Sequence, residues 1–179
     1  MTDAILQRTG DRPVLRFERR FARPIDDVWR AVTDPEEMRS WFPTRIDIDE
    51  WRVGVEFTHV FEDHDAPPLP GVVLEWDPPR RVSFTWGTDT ITFELEADGD
   101  GTKFVLTEEL GANIAARNAA GWEECLALLE SGSTSVDWQT RFDHYVDVFQ
   151  PVLGPQDGPP PEFQDTSTSS ANTTSMPLA

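Results

Sequence analysis

The stretch GVVLEWDPPRRVSFTW, Gly71 to Trp86, constrains the fold of this chain more than any other. Two strand-like runs are joined by a turn at Asp77-Pro78-Pro79-Arg80. Neighbouring prolines continue neither a strand ladder nor a helix, so they fix a corner. On the second run Val82, Phe84 and Trp86 alternate with Ser83 and Thr85. That period of two marks a sheet with one covered face. A β-hairpin is the seed from which the rest of the chain is read.

From Thr44 to Leu110 the pattern stays β. Strands are expected at Thr44–Ile48, Val53–Glu62, Val72–Asp77, Val82–Trp86, Thr90–Ala97 and Lys103–Leu110. Turns fall at Gly87-Thr88-Asp89 and Asp98-Gly99-Asp100-Gly101, and Asp63–Pro70 is a longer acidic, proline-rich loop. Upstream, Val14–Phe21 reads as a first strand. Pro24 opens a short helix with an apolar stripe of Val28, Trp29 and Val32, and Asp34 caps a second one from Pro35. Downstream, a long helix spans Asn113–Glu130, with Ile114, Asn118, Gly121, Trp122, Cys125 and Leu129 at helical spacing. Ser131–Ser135 breaks it. An amphipathic stretch follows from Trp138 to Phe149, and its four aromatics point to packing on its own domain or to a dimer or partner surface.

Residues 1–12 read as a loose leader and 13–153 as one domain with a C-terminal amphipathic extension. Residues 154–179, rich in Pro, Ser and Thr, read as a disordered tail. The 179 residues suffice for one domain with a real core. No run of about 18 apolar residues and no signal-peptide pattern is present, so a cytoplasmic protein without a membrane span is expected. The single cysteine, Cys125, rules out an internal disulfide and a multi-cysteine zinc site. A formal net charge of -18 repels phosphate backbones and argues against nucleic-acid binding.

Strand, two short helices, about six strands and a long helix are satisfied by one α+β arrangement. A curved antiparallel sheet wraps around the C-terminal helix, and the short helices close one end. Three pieces resemble the Activator of Hsp90 ATPase homologue 1-like family of the START-like (SRPBCC) superfamily. They are FERRFARPIDDVWRAVTDPEEMRSWF, the central hairpin block and GWEECLALL. The resemblance spans Val14 to Leu129, more weakly to Leu153, and implies the same helix-grip (START-like, Bet v 1-like) fold. Members often carry a His three residues before the Gly-Trp pair. Here that position is Asn118, and an amide is no general base near neutral pH.

Strand parity supplies the candidate site. Arg19 shares a face with Leu15, Phe17 and Phe21. His59 shares one with Val55, Phe57 and Phe61, and Glu108 one with Phe104, Leu106 and Leu110. Asn118 lies on the apolar stripe of the long helix. Buried charges need partners, and Arg19 with Glu108 is the expected pair. These four, with Trp41, Trp86 and Trp122 as apolar walls, are the candidate lining of a ligand cavity between sheet and helix. The alternatives are an internal ion pair, strand-end residues reaching water, and plain core packing. Gly121 lacks a Cβ, so a close approach of the sheet to the helix is expected there.

No metal site is expected. His59, His64 and His144 are widely spaced, and Glu62-Asp63-His64-Asp65 reads as a loop. Cys125 reads as inert core. No cofactor motif and no catalytic constellation is present. The reading favoured is non-catalytic binding of a small hydrophobic or amphipathic molecule. The resemblance also implies two others. One is a co-chaperone that stimulates an Hsp90-type ATPase, with the chaperone as partner, while a second copy of the chain is the partner that the Trp138–Phe149 aromatics allow. The other is a polyketide cyclase or aromatase-like enzyme using His59, Glu108 or Arg19.

Overall fold

The computed structural model describes residues 3–62 and 65–159. Eight strands form one antiparallel sheet: β1 (Ile5–Thr9), β2 (Arg12–Phe21), β3 (Arg45–Asp47), β4 (Glu56–Val60), β5 (Leu69–Asp77), β6 (Arg81–Trp86), β7 (Asp89–Asp98) and β8 (Gly101–Glu109). The helices are α1 (Ile25–Thr33), α2 (Pro35–Met38), α3 (Ala115–Ser131) and α4 (Trp138–Leu153). The sheet order is β1-β2-β8-β7-β6-β5-β4-β3. After β2, α1 and α2 carry the chain to the far edge. The meander from β3 then returns until β8 pairs with β2. The long helix α3 packs on the curved sheet, as the helix-grip expectation requires.

Local chemistry explains the joints. The Asp34 side chain accepts from the amides of Glu36 (2.9 Å) and Glu37 (3.1 Å), capping α2. At the hairpin corner the amide of Arg80 donates to the carbonyl of Asp77 at 2.8 Å. A bulge at Leu74 breaks the register, so Val73 faces Phe84 while Glu75 faces Ser83. Ser83 is buried on the other face of β6, where its hydroxyl meets Thr92 Oγ1 at 2.9 Å. Gly71 on β5 sits over Phe57, and a Cβ there would lie 2.5 Å from the ring. α3 ends at Gly132 in the left-handed region, φ 71°.

The concave face is filled with side chains. Phe17, Phe84, Phe93, Phe104 and Leu106 from the sheet meet Val28, Val32, Trp41 and Phe42 from the α1–α2 end. α3 presents four fully buried alanines, Ala115, Ala116, Ala119 and Ala120. Their small side chains let the helix lie close to the sheet. Gly121 is not what permits it, contrary to expectation, because a Cβ at Gly121 would meet nothing within 4 Å.

Two further expectations are corrected. Ile5–Thr9, read as loose leader, forms the edge strand β1 along β2. α4 secures it. Glu123 of α3, fully buried, takes two bonds from Arg141 and one from the Tyr145 hydroxyl. Arg141 also holds Asp3 at 2.7 Å, and the amide of Ala4 donates to the Tyr145 hydroxyl at 2.8 Å. Tyr145 and Phe149 are buried, so this helix packs on its own domain. The second correction concerns the tail. Residues 154–159 dock on the start of α3, where Gln156 accepts from the amide of Ala116 at 3.0 Å. The amide of Asp157 donates to the Asn113 carbonyl at 2.7 Å. The rest of the expected tail, 160–179, lies outside the described residues, as do Asp63 and His64.

Candidate functional site

β8 delivers Glu108 to the inner face, opposite Leu15 on β2 and Ile91 on β7. Both carboxylate oxygens are held by α3. Trp122 Nε1 donates to Oε2 at 2.8 Å and Asn118 Nδ2 donates to Oε1 at 2.9 Å. The spacing of four between Asn118 and Trp122 puts both donors on one helical face. Burial of the carboxyl pushes its pKa from 4.5 up to about 7. The donors Trp122 and Asn118 and the Arg117 charge oppose the rise, and the Asp89 charge adds to it.

Glu108 opens onto a cleft of about 490 Å³, within the range of roughly 300–1,000 Å³ common for small-molecule pockets. Trp86, Asn118 and Trp122 line it with Glu108. Four of the seven candidates are therefore brought together. Trp138, at the start of α4, Phe61 and Pro43 extend the apolar wall, and Pro159 closes one side. Gly121 also faces this space, which is why a Cβ there meets no atom. Arg117 and Glu124 stand at the helix side, and Arg117 Nη1 donates to the Gly158 carbonyl at 3.2 Å.

The other three candidates lie elsewhere. Arg19 faces Phe104, not Glu108, and its Nε stands 2.9 Å from Glu130 of α3. The expected Arg19–Glu108 pair is thus replaced by two separate arrangements at different heights on the sheet. Trp41 is core, and its Nε1 donates to the Ala31 carbonyl at 2.9 Å. His59 is fully buried between Thr44 and the strand β6. Its Nε2 donates to the Thr85 carbonyl at 3.0 Å, and its Nδ1 is 3.2 Å from Thr44 Oγ1. Burial pushes the His59 pKa down to about 4 against the opposing pull of that carbonyl, so the ring is neutral near pH 7. It fills the core and does not reach the cleft.

Trp138, Phe61, Arg117 and Pro159 were missed. Parity placed Phe61 on the right face, and the aromatic run starting at Trp138 was visible. Nothing local in the sequence joins either to α3. Cys125 lines the cleft, but its thiol is pushed up to about 12, first by burial and then by Glu124. Among the described residues no group of three or more His, Cys, Asp or Glu side chains stands together as a metal site. No helix among them is long and apolar enough to cross a membrane.

The sheet, the gripping helix and the cleft beneath it define a START-like helix-grip protein. Residues 22–132 match the family described as Activator of Hsp90 ATPase homolog 1-like protein, and the chain belongs to that family. Among solved structures, the conserved protein EF2215 of Enterococcus faecalis, described as of unknown function, superposes with a TM-score of 0.71 at 20% identity. That match covers 83% of this chain and 91% of the other. CalU16 of Micromonospora echinospora follows at 0.67 and 22% identity, covering 84% and 97%. The protein encoded by BPP1335 of Bordetella parapertussis gives 0.61 at 22%, covering 85% and 91%. At such identities the likeness concerns the fold. No curated protein matches the chain.

Proposed function

We propose that this protein binds a small, largely apolar or amphipathic molecule in the cleft beside α3 and does not transform it. One observation carries the reading. A buried carboxyl, Glu108, is clamped by Trp122 and Asn118 on the inner wall of an opening whose other walls include Phe61, Trp86 and Trp138. A few fixed polar groups in an apolar hollow give a ligand its orientation, while the walls supply the affinity. Both Glu108 oxygens are already bonded, which suits a recognition group better than a mobile proton carrier.

The test is native mass spectrometry of the purified protein, followed by extraction and identification of any bound molecule. A stoichiometric small-molecule adduct is expected. A clean apo mass, with no thermal shift across a panel of lipids and aromatic polyketides, would overturn the reading. A second reading has one observation in its favour. A carboxyl with a pKa of about 7 sits where a general acid or base works best near neutral pH, as a cyclase-like enzyme would need. Recovery of chemically altered probe after incubation would favour that reading. A co-chaperone role rests on the family description alone, and stimulation of a chaperone ATPase by the purified protein is its test.

A further inference from the structure

We infer that the molecule taken by this cleft carries a protonated amine on an aromatic or other apolar body. This inference rests on the binding reading above and names the ligand class.

The charged groups of the cleft are mostly carboxyls. Trp122 spends its indole N–H on Glu108, so it offers a ligand only its π surface. Asn118 gives one Nδ2–H to the same carboxyl and keeps its Oδ1 as an acceptor and its second N–H as a donor. Glu108 and Glu124 add two carboxyl groups against one guanidinium, Arg117. Arg117 gives one N–H to the Gly158 carbonyl at 3.2 Å, and its charge is the one positive charge among the lining side chains. An anionic ligand would meet two carboxyls here against a single guanidinium.

The walls point the same way. Trp86, Trp122, Trp138 and Phe61 all line the opening. Aromatic faces attract cations, tryptophan most strongly, and the gain grows where water is excluded. Above about pH 7, where Glu108 is mostly ionised, rings beside the carboxylate bind an ammonium group by two routes at once, ring quadrupole and charge-assisted hydrogen bond. A neutral alcohol of the same shape keeps only the apolar contacts and one ordinary hydrogen bond.

At about pH 8, where Glu108 is ionised, the experiment titrates the full chain calorimetrically with three probes of one skeleton: naphthylethylamine, naphthylethanol and naphthylacetate. The amine is expected to bind about tenfold or more tightly than the alcohol, with the acetate weakest. Glu108→Gln brings the amine-to-alcohol ratio close to one. Glu124→Gln, at the half-buried helix side, lowers the ratio by about twofold and tests the same point if Glu108→Gln does not fold. An alcohol binding as tightly as the amine, or an acetate binding more tightly than either, overturns the amine inference and leaves the binding reading standing. If no probe binds, the molecule extracted from the purified protein decides. A cationic one supports the inference, and a neutral or anionic one overturns it alone. No probe binding together with no extracted molecule overturns both.

Discussion

Glu108→Gln gives the account its sharpest stability test. Glutamine keeps the size of the side chain but stays neutral at every pH. In the wild type the folded pKa is raised from 4.5 to about 7 by burial. A carboxyl of this kind binds its proton more tightly in the folded state. Its stabilising effect is complete below about pH 4.5 and is lost as pH rises through about 7. At about 1.4 kcal/mol per pH unit, the loss amounts to about 3 kcal/mol at most. Acidic groups that do not interact with Glu108 titrate alike in both proteins, so their effects cancel in the difference, and Asp89, which does interact with it, adds only a lesser contribution. Urea denaturation of both proteins from about pH 4.5 to about pH 8 reads that difference directly. The wild type's advantage over the variant is expected to shrink by up to about 3 kcal/mol across the range. An advantage constant with pH would mean that Glu108 is not desolvated in the fold. An advantage that grows with pH would mean its pKa is depressed. Either result refutes the argument for the site.

Further outcomes follow from other contacts. Gly71→Ala drives a Cβ into the Phe57 ring and is expected to cost about 1–3 kcal/mol in chemical denaturation. The cost should fall in a Phe57→Leu background, and strictly additive effects would contradict the contact. Arg141→Ala leaves the buried Glu123 without its ion partner and should cost about 3–5 kcal/mol, with faster hydrogen exchange in β1. A loss below about 1 kcal/mol would show that the buried pair does not hold α4. The His59 ring, with a pKa of about 4, should show no NMR titration near 6.5. Its folded pKa is depressed, so any stability it adds is lost as pH falls from about 6.5 toward 4.

Strand parity in the sequence identified which residues point inward, and it did so well. Arg19, His59 and Glu108 are all buried. Parity carries no information on height along a strand, and there the reading failed. Arg19 and Glu108 lie four register positions apart, roughly 13 Å at the rise of a β-strand, so they cannot pair. Nor does parity separate core from cleft. His59 and Trp41 point inward into packed aromatics, whereas Glu108 and Trp122 point inward beside an opening. The missing side chain of Gly121 is legible in the sequence, but not which neighbour it faces. The alanines one and two residues before it do the close packing, and the glycine leaves the space. β1 and residues 154–159 escaped notice because distant residues hold them, Tyr145 and Arg141 for one and the first turn of α3 for the other.

The cleft beside α3 is the central claim, and Gly121→Leu tests it most directly. A Cβ there meets no atom within 4 Å, Gly121 faces the cleft, and leucine favours the helix, so the variant is expected to fold while its side chain enters the cleft. Native mass spectrometry of the two proteins, prepared side by side, is the measurement. The account predicts a small-molecule adduct on the wild type that is absent from a stably folded Gly121→Leu. An adduct retained in full by that variant would place binding elsewhere and contradict the account.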